Sequence, residues 1–404
     1  DQHPHDIELL LLQSEMLIID DKYEAAQALL NYIESLSPLN EEIFLQRATL
    51  ASKKGIHEIA VDNLNKALNI TEDPLEIWNL LGMEYLLAED YHNAEYFFKN
   101  CVLDNSDDYP ALYNLLYCYE QLQQKEKAIN TLNWILEKNP YNEVAWHQLG
   151  RIYARSKNYK EALSAFDFAI ISDDTFTGAY IEKGKLLEKT GRLNEAISNY
   201  QIALNTNDPS AFLWHRIGNC HLTLGNDNLG IQFLRKAIQL EPSFERAWNK
   251  LAGFYIKKKD YRKAKYYVLK GLKSNSDCIS LWKKSMIIHR FLTEYEEVIH
   301  ACQNLIALEH RNLDTWMHYI DGHLYLKEWS LALKVALKAL DQFKQNAFIE
   351  FRVAGCYYEL NQNFKAQFHF QNAKRKKPLS KFVASLFPNF LNKKKLKKLE
   401  NSEF

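Results

Sequence analysis

Six of the eight tryptophans, Trp78, Trp146, Trp214, Trp248, Trp282 and Trp316, stand 34 or 68 residues apart in this chain of 404. A fixed period of this size constrains the fold more than any other feature, because it makes the chain an array of one small unit. A 34-residue ruler starting at Ile7, with tryptophan at position 4, runs to Ser380 without insertion and gives eleven repeats. Position 20 is Ala in nine of the eleven, the exceptions being Gly230 and Val298. Position 8 is mostly small, as at Ser14, Ala48, Gly82, Gly150, Gly184, Gly218, Ala252 and Ala354. Pro38, Pro140, Pro242 and Pro378 all fall at position 32.

These spacings carry a helix-turn-helix reading. Positions 4, 7, 8 and 11 share one face of a first helix, and 20, 24 and 27 one face of a second. Gly55, Gly191 and Gly225 occupy position 15, where a left-handed residue ends a helix. Small residues at 8 and 20 let the two backbones approach, and proline at 32 stops the second helix. One such pair cannot bury its apolar face alone, so neighbouring pairs must stack.

The order W-x2-L-G-x2-Y…A-x3-F-x2-A…P resembles the tetratricopeptide repeat. Trp146, Leu149, Gly150, Tyr153, Ala162, Phe166 and Ala169 carry it most completely. The likeness covers about nine tenths of the chain, and wording such as AWHQLGRIY also resembles tetratricopeptide proteins of the Bacteroidota. Repeats 1, 9 and 10 fit least, with Met286 and Ile320 at position 8 and Val298 at position 20. The resemblance implies an all-α, right-handed solenoid over 7–380, with somewhat more than one superhelical turn. The repeats start at 7, 41, 75, 109, 143, 177, 211, 245, 279, 313 and 347. Residues 381–404 read as a capping helix, Lys381–Phe387 stopped by Pro388, followed by a basic tail.

With 47% apolar and 25% charged residues the composition is that of a folded protein. No stretch reaches the roughly 18–20 apolar residues of a membrane span. The six cysteines show no paired spacing, which favours a reducing compartment and a cytoplasmic location. The chain begins at Asp1, so a removed leader stays open. Charge is unevenly distributed: residues 1–110 hold 22 acids and 6 bases, whereas 374–399 hold 10 bases and no acid. That asymmetry points to charged partners or to contact between opposite ends.

No metalloprotease, phosphate-loop, nucleophile-elbow or dinucleotide motif is present. The position-11 histidines His221, His289 and His323 read as packed replacements for an aromatic, and Glu297-x-x-His300 as chance. His147 and His215 share position 5 but are two repeats apart, too far to hold one metal ion. Cys118, Cys220 and Cys356 at position 10 read as small buried hydrophobes. The repeats leave no residues for an appended catalytic domain. The chain is therefore read as no enzyme, with no cofactor and no metal.

The resemblance assigns ruler positions 2, 5, 6, 9 and 12 to a concave inner wall. Repeats 1–3 place Glu8, Glu15, Glu42 and Glu76 there. Repeats 5–9 place Arg151, Lys185, His215, Arg216, Asn219, Arg246, Asn249, Lys250, Lys283 and Lys284, the candidate partner-binding residues. Arginine grips carboxylates bidentately and asparagine holds peptide backbone, so the wall suits an acidic segment. The carboxylate clamp of some tetratricopeptide domains is not matched, since only Asn219 fits fully and Lys284 partly. The expectation is a protein-interaction scaffold binding a protein or peptide. Alternatives are a nucleic-acid-associated protein using the basic middle and lysine tail, an anionic-membrane contact, or an accessory subunit of an envelope assembly.

Overall fold

The computed structural model describes residues 6–206, 209–310, 312–376 and 386–387. Among them are 22 α-helices in successive pairs and no strand. The first helix of each pair begins every 34 residues, at Ile7, Glu41, Leu75, Tyr109, Glu143, Thr177, Ala211, Glu245, Ile279, Leu313 and Ala347. The helices are numbered α1 to α22, so the site discussed below uses α7 (Tyr109–Gln121), α8 (Lys125–Lys138), α9 (Glu143–Arg155), α13 (Ala211–Thr223), α15 (Glu245–Lys257) and α17 (Ile279–Phe291). The chain divides into two compact units, Asp1–Leu186 and Leu187–Phe404, and within each unit neighbouring pairs pack side by side.

Local chemistry repeats with the period. Position 34 supplies N-caps, with Asn40, Asp108, Asn142, Asn312 and Asn346 accepting backbone N–H groups from the first turn of the following helix. Position 15 is left-handed in all eleven repeats, not only at the three glycines. Thr293 has φ 59°, a costly conformation for a β-branched residue. Its neighbours close a Schellman turn, in which Thr293 N–H donates to Arg290 O and Glu294 N–H donates to His289 O. The turn geometry is thus imposed by the repeat, and glycine merely eases it.

Tryptophan at position 4 fixes the roll of the first helix. Nε1 of Trp146, Trp248 and Trp282 donates to the position-32 carbonyl of the preceding repeat, Pro140, Pro242 and Ser276, at 2.7–2.8 Å. Glycine at position 8 lies against the position-24 side chain. A Cβ on Gly82 would come within 2.7 Å of the Phe98 ring, and one on Gly150 within 2.6 Å of Phe166. In repeat 7 a Cβ on Gly218 would approach the backbone oxygen of Gly230, at position 20, to 3.0 Å.

The position-11 histidines are packed as the sequence implies. His289 and His323 are buried and contact Glu294 and Glu328 at 2.5 and 2.6 Å, and His221 stacks on Phe233. All six cysteines are free and buried, and burial pushes the Cys118 thiol up to about 11 and those of Cys220 and Cys356 to about 12. No described helix is long and apolar enough to cross a membrane. The expected capping helix lies outside the described residues except for Leu386 and Phe387, which are buried against repeats 10 and 11.

Candidate protein-interaction surface

On α13, α15 and α17 the core face carries Trp214, Trp248 and Trp282, and polar side chains occupy most of positions 2, 5, 6 and 9. Eight of the ten candidates lie in the second unit, on α13, α15 and α17, and Arg151 and Lys185 lie in the first. They differ in how far their charge is already satisfied.

Lys284 is the most constrained. Its Nζ donates to Asn249 Oδ1 at 2.9 Å, and Asn249 Nδ2 donates to Glu245 Oε1 at 3.0 Å and to Ser280 Oγ. Ser280 Oγ in turn donates to Glu245 Oε1 at 2.7 Å. The network bridges α15 and α17 and aims a half-buried ammonium whose pKa is lowered, chiefly by burial. The Glu245 carboxyl is held below its ordinary range by hydrogen bonds from Cys278, Ser280 and Asn249. Ser280 and Asn249 are therefore orienting groups for Lys284, a role that composition alone did not disclose.

Arg216 is matched internally. Its Nε lies 3.0 Å from Glu188 and 3.3 Å from the Tyr200 hydroxyl, and its guanidinium faces the rings of Tyr200 and Phe212. Lys185 donates to Glu182 at 2.7 Å, and Arg151 donates to Gln148 at 3.0 Å. Arg246, Lys250 and Lys283 have no ion-pair partner among the described residues, and Arg246 is exposed. Asn219 sits one helical turn beyond His215 on α13. These three unmatched cations lie on the same pair of helices, α15 and α17, as the pre-ordered Lys284.

His147 and His215 are neutral at pH 7 rather than part of the positive field. His147 is 9% exposed, with its ring edge-on to Phe176 at 5.2 Å and no hydrogen-bond partner for either ring nitrogen. Burial, reinforced by Arg151, pushes it down to about 4. His215 packs edge-on to Phe244, and burial together with Arg216, Lys250 and Arg246 also pushes it to about 4. Both folded values lie below the unfolded 6.5, so their stabilising contribution is complete above pH 6.5 and is lost as pH falls towards 4. Unfolding free energies from urea titrations should drop between pH 7 and pH 5 by about 2 kcal/mol for His147 and less for the more exposed His215. The doubly substituted His147→Phe, His215→Phe protein should lose most of that slope; an unaltered slope would refute the assignment.

The fold and this surface define a helical-repeat protein of tandem α-hairpins. A family description of a tetratricopeptide repeat-like domain matches residues 87–223, and the tetratricopeptide repeat itself matches 213–244 and 245–278. Together these matches cover residues 87–278, and the helix pairs on either side keep the same period and architecture. Among curated relatives, trd-1 of Caenorhabditis elegans, a tetratricopeptide repeat-containing protein, is 25% identical over 49% of this chain and 25% of its own length. The repeat protein YpiA of Bacillus subtilis is 24% identical over 65% of this chain and 62% of its own. Anaphase-promoting complex subunit 3 of Schizosaccharomyces pombe is 23% identical over 70% and 43%. The chain thus spans between a quarter and three fifths of these relatives. A solved tetratricopeptide protein from Parabacteroides merdae aligns at 14% identity over 62% of this chain and 99% of its own, with a TM-score of 0.38.

Proposed function

We propose that the chain is a non-catalytic scaffold or adaptor that holds an acidic segment of a partner protein against the inner-face positions of its middle repeats. The observation that carries this reading is the Glu245–Asn249–Ser280–Lys284 network standing beside the unmatched Arg246, Lys250 and Lys283. A lysine oriented before the ligand arrives loses little side-chain freedom on binding, and unmatched cations steer an anionic segment towards it. A role in assembly is supported by the fission-yeast relative, which by name is a subunit of a larger complex. The buried, unpaired cysteines suit a reducing compartment such as the cytoplasm.

The test uses charge reversal where reversal disturbs no internal ion pair. Arg246→Glu, Lys250→Glu and Lys283→Glu together should weaken binding of fluorescein-labelled Asp/Glu-rich dodecapeptides at least tenfold and flatten their salt dependence, with helicity unchanged. Affinity capture with the two proteins then identifies the natural partner as the species lost with the triple variant. Equal peptide affinity in both proteins would show that the wall is solvated surface.

A further inference from the structure

The aromatic ring that opens the second helix in several repeats is missing in others, where Lys125, Leu193 and Asp227 stand in its place. The residue at position 17, which opens the second helix of a repeat, lies beside positions 9 and 13 of the next repeat, and an aromatic ring closes that junction in several registers. Tyr91 packs edge-on to Tyr117, Tyr261 stacks on Phe291 at 4.6 Å, and Tyr295 stacks on Tyr325 at 4.3 Å. At the junction of repeats 10 and 11 the ring comes from outside the repeats: Phe387 lies against Trp329 and occupies the space above Gly355.

At the junction of repeats 4 and 5 the same three positions are Lys125, Arg151 and Arg155, and no ring fills it. A cavity of about 520 Å³ stands there, walled by α7, α8 and α9, with Tyr113, Tyr117 and Tyr119 among its lining residues. Its counterpart five repeats on, closed by Tyr295 and Tyr325, is only about 60 Å³. Every residue lining that small pocket is register-equivalent to one lining the large one, such as Tyr295 to Lys125 and Asp321 to Arg151. Repeat 4 also carries leucine at both position 8 and position 24, Leu116 and Leu132, and its two helices approach each other much less closely than α9 and α10 (Tyr159–Ser172) do.

We infer that this cavity is a socket for an aromatic side chain presented by a partner protein segment with carboxylates beside it. The occupant is argued from the chain's own solution at the equivalent junctions, above all from Phe387, a ring delivered by a segment outside the repeat pattern. The size lies within the range of pockets that bury a small ligand group, roughly 300–1,000 Å³. The rim carries Lys125, Arg151 and Arg155 against the single acid Glu120, which pairs with Arg155 at 2.6 Å. Cations of this kind attract both a ring face and flanking carboxylates. Tyr113 and Tyr117, both exposed, supply aromatic walls. The inference deepens the function proposed above and rests on its premise that the ligand is a protein segment.

The test is a set of acetylated pentapeptide amides, Asp-Glu-X-Glu-Asp with X as Trp, Tyr, Phe, Leu or Ala, titrated into the full chain and followed by calorimetry. Aromatic X should bind at least tenfold more tightly than Ala, about 1.4 kcal/mol. Lys125→Tyr restores the ring found at other junctions, fills the socket from within, and should bring aromatic X down to the Ala level without lowering the melting temperature. Arg151→Glu should do the same by another route. Failure of every peptide to bind at millimolar concentration, an affinity that ignores X, or an aromatic preference that survives both variants overturns the socket. The triple reversal in repeats 8 and 9 separates this from the proposed wall. Loss of an X-independent class of sites with the aromatic preference preserved supports both sites. A peptide series weakened by the reversal but blind to X leaves the wall standing and removes the socket.

Discussion

Replacing Asp321 with alanine is expected to destabilise repeats 10 and 11 by about 3–5 kcal/mol, the usual consequence of removing one partner from a buried ion pair. Arg352 donates from Nε to Asp321 Oδ1 at 2.6 Å and from Nη2 to Oδ2 at 2.9 Å, a bidentate fork joining α19 (Leu313–Tyr325) to α21 (Ala347–Glu359). Arginine is 2% exposed and aspartate 8%, and the guanidinium cannot discharge by losing a proton. Alanine removes the carboxylate and leaves the charge in place. The joint variant Asp321→Leu, Arg352→Met should recover most of the loss, because the pair's net contribution is small even though breaking it is costly. In a repeat array stability is a nearest-neighbour property, so one global free energy is a poor readout. Hydrogen exchange of the α19–α22 amides, α22 being Asn363–Lys374, should accelerate selectively, and exchange within 1 kcal/mol of wild type would refute the argument. Asp321 and Arg352 occupy positions 9 and 6 of repeats 10 and 11, so at these register positions the charge is satisfied within the chain.

The repeat, the helix pairing and the packed roles of tryptophan, alanine and the position-11 histidines are legible in the sequence because each recurs at fixed spacing. Position 15 is the instructive partial case: glycine announces the left-handed turn in three repeats, yet Asp21, Gln123, Lys157 and Thr293 adopt it as well. Backbone geometry shared by all repeats overrode local preference. The charged wall is legible as composition but not as chemistry. Residue type could not distinguish Arg216, matched by Glu188, from Arg246, exposed and unmatched. It could not show that burial makes His215 neutral. Those properties depend on which side chains the next helix delivers. The socket between repeats 4 and 5 left a trace in the sequence, Lys125 where tyrosine or tryptophan often stands, but its meaning needs the rings of the other junctions to be seen in place.

Repeats 9 and 10 depart from the small residue at position 8, and the core explains how they still pack. Positions 8 and 24 face each other and exchange volume: Gly82 with Phe98 and Gly150 with Phe166, then Ala48 with Leu64 and Ala252 with Val268, then Met286 with Cys302 and Ile320 with Ala336. A close-packed interior holds the sum nearly constant in these six repeats, whereas Leu116 with Leu132 in repeat 4 exceeds it and the two helices stand farther apart. Gly150→Ile should therefore cost about 3 kcal/mol or more, because even its Cβ would lie 2.6 Å from the Phe166 ring. Phe166→Ala should cost about 3–5 kcal/mol through lost burial and the cavity left behind. Joined, the two substitutions recreate the Ile–Ala pair of repeat 10 and should restore at least about 2 kcal/mol relative to the sum of the single effects, a coupling expected only of side chains in direct contact. The measurement is a double-mutant cycle read by urea denaturation and by hydrogen exchange of α9 and α10. Additive effects would mean that the two positions are filled independently, and that the large residues in repeats 9 and 10 are accommodated by displacement of the helices rather than by exchange of volume across the pair.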